Sequence, residues 1–175
     1  MKVNVLVKWS CMVILIVCSF NSYGQSNRPI DGYNELPWGT SVSRFLQLYP
    51  GTPGWQQPDN IGFQNFHQAN PGGGIKSRDF RFFQDKLYHV IVDYGDIGFQ
   101  TVNAIIDTLV SRYGNIHSQW VDGSFRNILI RYNANLDIYI RVFRNNLIDM
   151  QYINRPLERQ YIDARNRVEM EKIEL

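Results

Sequence analysis

The chain has 175 residues, of which 44% are hydrophobic, and its 18 lysine and arginine residues against 16 aspartate and glutamate residues give a formal net charge of +2. A chain so close to neutral has no general positive field for nucleic acid or anionic lipid, so the composition argues against a nucleic-acid partner. The length and apolar content suit one globular domain that buries most of its apolar surface.

An export signal is predicted over residues 1–24. Lys2 and Lys8 precede an almost unbroken apolar run, and small residues lead up to Gly24. This pattern is typical of a cleaved secretory signal, whose apolar segment is too short to span a membrane. We therefore expect cleavage near Gly24, a periplasmic or secreted protein, and no membrane span after cleavage.

Two alternatives to cleavage stay open, namely an uncleaved N-terminal anchor and a lipoprotein attached through Cys18. Val17 is bulkier than the small residue expected before a lipidated cysteine, which favours cleavage. Because Cys11 and Cys18 both lie in the predicted signal, the processed chain is expected to have no disulfide and no thiol chemistry. Cleavage also removes two lysines, leaving 18 − 2 = 16 basic against 16 acidic residues.

The first half of the chain predicts one helix followed by strands. Ser41 is placed to cap a helix that carries apolar residues at turn spacing and stops at Pro50. Breaker-rich loops at residues 51–62 and 70–74 flank "FQNFHQ", which is predicted to be an edge strand. The runs "SRDFRFF" and "LYHVIVDY", separated by "QDK", predict a β-hairpin.

The second half repeats this order. Thr101 is predicted to cap a longer amphipathic helix that Gly114 ends. Four strand-like runs follow, "NIHSQWV", "RNILIRY", "LDIYIRVF" and "LIDMQYI". Asp122-Gly123, "NAN" and "RNN" provide the turns between them.

The predicted fold class is therefore α+β, with two helix-plus-antiparallel-meander units, helices packed on one sheet face, and a C-terminal helix. The units would span residues 36–96 and 97–154 within a single domain over residues 25–155. A true duplication and two independently arising helix-before-hairpin units both remain open. The charge-dense segment 156–175 is predicted to be a helix that is either solvated or docked, through a thin stripe, on a partner or on its own sheet.

Strand alternation assigns side chains to the two faces of the sheet. In the second unit, Ile130 and Ile140 are expected to face the helices, while Arg131, Tyr139 and Arg141 are expected to face solvent. In the first unit the outward set includes Arg81, Phe83 and His89.

The sequence contains no recognisable catalytic, metal-binding or cofactor-binding motif, and no cofactor is expected. His67, His89 and His117 are not at metal-ligand spacing, no serine lies in a nucleophile elbow, and "NPGGGIKS" is not a phosphate-binding loop. Four aspartates near strand ends could serve a glycoside hydrolase only if the fold brought two of them together, namely Asp93, Asp96, Asp137 and Asp149.

The candidate binding residues come from the outward face, because arginine and aromatic side chains combine forked hydrogen bonding with large contact area. They are Arg131, Tyr139, Arg141, Arg81, Phe83, His89 and Trp55, the last from a Pro/Gly-rich loop. Simple cross-strand pairing on an exposed sheet explains the same residues equally well.

The segment "GTSVSRF", with Gly39, Ser41 and Phe45, resembles the opening of small periplasmic helix-plus-sheet domains. These include the β-lactamase inhibitory proteins and the small lipoprotein of the outer-membrane β-barrel assembly machine. The inhibitory proteins are similar in being tandem helix-and-meander units that bind a protein through a concave sheet face, which implies a contact role here for Arg131, Tyr139 and Arg141. The chain lacks their disulfides, and it lacks the lipoprotein's standard lipidation cysteine.

The function predicted is an exported, non-enzymatic protein-binding or assembly module of the periplasm or cell envelope, with an envelope or secreted protein as partner. The alternative is a small-ligand or glycan-binding protein, with weak hydrolytic chemistry, whose pocket would lie beneath Trp55 and the loop Gly72 to Gly74. The sequence favours no particular oligomeric state.

Overall fold

The computed structural model describes residues 31–56, 61–143 and 147–173. The predicted export signal and the "RNN" turn at residues 144–146 lie outside the described residues. Both remain predictions from sequence.

The described residues form two successive units, and in each of them one helix is followed by four antiparallel strands of the main sheet. The first unit contains a short hairpin of β1 (Gly32–Tyr33) and β2 (Leu36–Pro37), then α1 (Val42–Leu48), β3 (Gly54–Gln56), β4 (Phe63–Gly72), β5 (Ile75–Phe83) and β6 (Lys86–Asp96). The second contains α2 (Phe99–Tyr113), β7 (Ile116–Asp122), β8 (Phe125–Arg131), β9 (Leu136–Val142) and β10 (Leu147–Asn154), followed by α3 (Arg155–Ile173). The predicted α+β class is confirmed.

The eight strands β3 to β10 form one sheet with the order β3-β4-β5-β6-β10-β9-β8-β7. The last strands of the two units therefore lie side by side in the middle, where Ile91 is opposite Gln151. The strands that directly follow α1 and α2, namely β3 and β7, form the two edges.

The ends of α1 and α2 agree with the sequence except at the start of α2. Ser41 caps α1, since its side chain accepts a hydrogen bond from the backbone N–H of Arg44 at 3.3 Å. Gly114 ends α2 with a φ of +99°, a left-handed value that favours glycine. The predicted cap at Thr101 is wrong: Gly98 occupies that position, and its carbonyl accepts from the N–H groups of Thr101 and Val102.

The turns follow the prediction closely. Gln84 and Asp85 join β5 to β6 with positive φ at both residues, as a tight two-residue hairpin requires. The Asp85 carboxylate also accepts from the backbone N–H of Val42 at 2.8 Å, which fixes the start of α1 against this turn. The β7–β8 turn is shifted by one residue from the prediction, because Asp122 pairs with Phe125.

One strand lies where a loop was expected. Within the breaker-rich segment 51–62, residues Gly54–Gln56 form β3 and pair with β4, Trp55 lying opposite Asn65. The strand containing "FQNFHQ" is therefore not at the edge of the sheet, and that part of the prediction is wrong. A three-residue strand is too short to produce a period-2 pattern that sequence can reveal.

Phe45 is the centre of the core between α1 and the sheet. Its side chain is fully buried, and its ring centroid lies 4.8 to 5.3 Å from those of Phe66, Phe80 and Phe82. Contacts of this kind add to the hydrophobic free energy of burying each ring.

The second unit shows the predicted division between faces. Ile128, Ile130, Ile138 and Ile140 are completely buried on the helix side of the sheet. The side of α2 that packs there carries residues at helical spacing, namely Val102, Ile106, Leu109 and Tyr113, all of them buried.

The C-terminal helix α3 docks on the chain's own sheet, on the face opposite α1 and α2. Its stripe residue Ala164 is buried against Ile61, Phe63, Phe83 and Tyr88. Three further stripe residues, Leu157, Tyr161 and Val168, pack on the same cluster. The docked alternative is therefore correct and the fully solvated helix is not.

Replacing Ala164 with aspartate should detach α3 from this cluster, because the variant would place an unpaired charge against buried aromatic rings. We expect the free energy of unfolding to fall by at least about 2 kcal/mol and protease cleavage within α3 to increase. Urea denaturation and limited proteolysis measure the two effects. Asn166→Asp adds the same charge at an exposed position of the same helix and should change stability by less than about 0.5 kcal/mol; equal effects of the two variants would contradict the docking.

Candidate functional site

The face of the sheet opposite α1 and α2 is called the open face here, and α3 covers only one part of it. Strand register puts the predicted residues Arg131, Tyr139 and Arg141 on this face, alternating with the buried isoleucines of β8 and β9. Arg131 is exposed, and Tyr139 and Arg141 are half-buried.

Arg141 is held in place by an ion pair across β9 and β10. Its guanidinium donates to the carboxylate of Asp149, the residue directly opposite in register. Its charge also lies over the rings of Phe125 and Phe143, at 5.9 and 6.0 Å from their centroids. Burial raises the pKa of Asp149, although the nearby Arg141 acts against this shift.

Tyr139 joins an aromatic contact at the outer part of the sheet. Its hydroxyl donates to the Asn127 side-chain oxygen at 3.3 Å, and its ring lies 5.5 Å from that of Trp120. Trp120, on the edge strand β7, is 41% exposed. An exposed tryptophan beside a hydrogen-bonded tyrosine provides a flat contact area that is already oriented.

Arg131 pairs with a carboxylate of its neighbouring strand. It donates from Nε and Nη2 to the two carboxylate oxygens of Asp137, at 3.1 and 3.4 Å. Arg155, at the start of α3, also approaches Asp137, at 3.5 Å. The charge of Arg131 is therefore largely balanced within the chain.

Two predicted residues on the open face are buried, which corrects the expectation that they face solvent. Phe83 is only 3% exposed, because α3 covers it and the ring of Tyr161 lies 5.7 Å away. His89 is 5% exposed and hydrogen-bonds through Nε2 to the Gln151 side-chain oxygen at 3.0 Å. Both positions do alternate as predicted, but alternation gives the face of a strand and not what covers that face.

The environment of His89 keeps it neutral. Burial, and then the positive charge of Arg81, lowers the pKa of His89 to about 3. Because the amide oxygen of Gln151 can only accept, the imidazole donates from Nε2. Arg81 itself is half-buried opposite His89 in register.

The remaining predicted residue, Trp55, lies in β3 opposite Asn65. The glycines of the neighbouring loop, Gly72, Gly73 and Gly74, have open space around them. A depression of about 520 Å³ does exist, but it lies between α3 and the β5–β6 turn, with Gln84, Gln160 and Asp163 among its lining residues. The predicted ligand pocket beneath Trp55 remains a prediction.

Trp120 was not among the predicted binding residues, and the sequence left open whether α3 docks on the sheet. A signal existed for each of them: Trp120 alternates with the outward residues of β7, and the stripe on α3 points to a docked helix. Within the described residues, no group of three or more histidine, cysteine or acidic side chains is placed to hold a metal ion. None of the helices in that part of the chain is both long and apolar enough to cross a membrane.

No protein-family model, no curated protein and no solved structure matches the chain. The resemblance to the periplasmic helix-plus-sheet domains stays a prediction.

Proposed function

We propose that the chain is an exported, non-enzymatic module of the periplasm or cell envelope that binds a protein partner through the open face of its sheet. The contact surface is the outer patch, defined as Trp120, Arg131, Tyr139 and Arg141. The single observation that carries the proposal is the half-exposed tryptophan–tyrosine pair on a part of the face that no described helix covers.

The composition of the outer patch supports this role. Tryptophan, tyrosine and arginine are the residue types that contribute most to binding free energy at protein interfaces, because each buries a large area and makes directed hydrogen bonds. In the outer patch these three types occupy adjacent strands, β7, β8 and β9.

The order of the outer patch adds a second line of support. Tyr139 is hydrogen-bonded to Asn127, and both arginines of the patch are paired with aspartates on neighbouring strands. Side chains already held in one geometry lose less conformational entropy when a partner binds.

The pairing of the arginines also indicates what kind of partner fits. Because Arg131 and Arg141 each have a carboxylate neighbour, the patch offers little net charge. The proposed partner is therefore recognised by contact area and hydrogen bonds, and binding should persist at a salt concentration of about 0.5 M, where exposed charges are strongly screened.

The test is capture of envelope proteins by the intact chain, compared with the double variant Arg131→Ala plus Tyr139→Ala. We expect the double variant to lose at least about tenfold of the captured partner, since loss of hot-spot residues costs more than about 1.4 kcal/mol. Quantitative mass spectrometry of the captured fraction measures the ratio.

The matched control is Arg44→Ala plus Gln47→Ala, two exposed residues of α1 on the other side of the sheet. The control should capture the partner as well as the unchanged chain does. If the double variant keeps the partner, or if the control loses it equally, the outer patch is not the binding surface.

A further inference from the structure

A cluster of tyrosines lies on the helix side of the sheet, between α1 and α2. Tyr33 from β1, Tyr94 from β6, Tyr113 from α2 and Tyr152 from β10 contribute to this cluster, called the seam here. The ring centroids of Tyr33 and Tyr152 are 5.1 Å apart. Four elements that are distant in sequence thus bring phenol groups to one place.

Three of the four hydroxyls of the seam have no hydrogen-bond partner among the described residues. Burial raises the pKa of Tyr94 to about 12 and raises that of Tyr33, Tyr113 and Tyr152 as well, so all four stay protonated at neutral pH. Among the described residues, none forms a hydrogen bond with the hydroxyl of Tyr94, Tyr113 or Tyr152.

Arg78 on β5 brings a cation to the seam. Its guanidinium carbon lies 5.8 Å from the ring centroid of Tyr33. Its Nε is buried and has no hydrogen-bond partner, and no carboxylate of the described residues lies within ion-pair distance of it. Arg141 on the open face also has a buried Nε without a hydrogen-bond partner, but its Nη2 pairs with the carboxylate of Asp149. An arginine N–H buried without a partner costs free energy unless something binds it.

A second arginine and one acidic residue complete the charges around the seam. Arg112, in the last turn of α2, lies 5.5 Å from the ring centroid of Tyr113. Glu35 is engaged with Tyr49, whose hydroxyl donates to it at 2.6 Å. The two arginines and the one glutamate are the charged groups that act on the seam tyrosines, which leaves one net positive charge.

We propose that the seam is a binding site for a small monocarboxylate, whose oxygens accept hydrogen bonds from the guanidinium of Arg78 and from the hydroxyls of Tyr94 and Tyr113. A carboxylate carries the single negative charge that balances the seam, and its planar geometry fits the fork of a guanidinium. The aromatic rings around the site favour a ligand with an apolar body. This site is separate from the open face, which lies on the other side of the sheet.

The experiment titrates the protein with benzoate at constant ionic strength, and with benzamide as a neutral molecule of the same shape. Calorimetry gives the affinities, and the chemical shifts of the tyrosine ring protons locate the site. We expect benzoate to bind and to shift the Tyr94 and Tyr113 signals. Benzamide should bind at least about tenfold more weakly, because it lacks the charge that the guanidinium recognises.

Two variants test the residues. Arg78→Gln should weaken benzoate binding about tenfold to a hundredfold, the loss expected for a charged hydrogen bond. Tyr94→Phe removes one hydroxyl without changing the ring, so that it tests the site even if Arg78→Gln folds poorly, and it should weaken binding about threefold to tenfold. Arg44→Gln, at an exposed position of α1, is the matched control and should leave the affinity unchanged.

Four results would overturn the proposal. They are no measurable benzoate binding, equal affinities for benzoate and benzamide, affinities that neither Arg78→Gln nor Tyr94→Phe changes, and shifts confined to tyrosines outside the seam. Tighter binding of inorganic phosphate than of benzoate would overturn the assignment of a monocarboxylate, since it would require a site built for a doubly charged anion.

Discussion

Replacing Phe45 with alanine is expected to lower the free energy of unfolding by about 3–5 kcal/mol. Phe45 is fully buried and contacts three phenylalanines of the sheet, so truncation removes the burial of one ring and leaves a cavity between α1 and β4–β5. Urea denaturation followed by circular dichroism measures the change at constant m-value.

The control for Phe45→Ala is Leu46→Ala at the next position of the same helix. Leu46 is 37% exposed, and its truncation should cost less than about 1 kcal/mol. If the two variants lost similar stability, the contribution of α1 would come from helix formation itself and not from the packing of Phe45.

Acid should destabilise the protein through His89. Its pKa in the folded state is lowered to about 3 from an ordinary value of 6.5, so between these values the unfolded chain binds a proton that the folded chain does not. The contribution of His89 to the free energy of unfolding is fully present above about pH 6.5. Below that pH it decreases by roughly 1.4 kcal/mol for each pH unit. The total loss by pH 3 is on the order of 4 kcal/mol.

The measurement is the free energy of unfolding as a function of pH for the unchanged protein and for His89→Gln. The variant should be less stable at pH 7, where it disturbs the hydrogen bond to Gln151, but its stability should fall less steeply between pH 6 and pH 4. His117→Gln, an exposed histidine on β7, should keep the steep dependence. Parallel curves for His89→Gln and the unchanged protein would show that His89 does not cause the loss.

Much of the fold follows from local sequence because local physics decides it. The period-2 pattern around Ile130 and Ile140 reports burial of one strand face, and Ser41 can cap a helix with its own side chain. Gly98 gives no comparable signal, because a glycine cap forms no side-chain hydrogen bond, while Thr101, three residues later, resembles a capping residue. The short strand β3 depends on its pairing with β4, which no local pattern encodes.

The candidate sites divide in the same way. The positions of Arg131, Tyr139 and Arg141 on the open face follow from alternation along β8 and β9. The burial of Phe83 depends on α3, a helix more than 70 positions further along the chain, and could not be obtained from β5 alone. The seam is a still more distant convergence, since its tyrosines come from four elements and occupy positions that each resemble ordinary core residues.

The adjacency of β6 and β10 has a consequence for how the chain is made. Ile91 and Gln151 face each other across this junction although they are 151 − 91 = 60 positions apart, so the loop between them must close before the sheet is continuous. While the polypeptide is still emerging, the long strand β6 has one unpaired side, and such a side attracts strands of other molecules. The emerging chain should therefore be most prone to aggregation until residues 147–154 arrive and occupy that side.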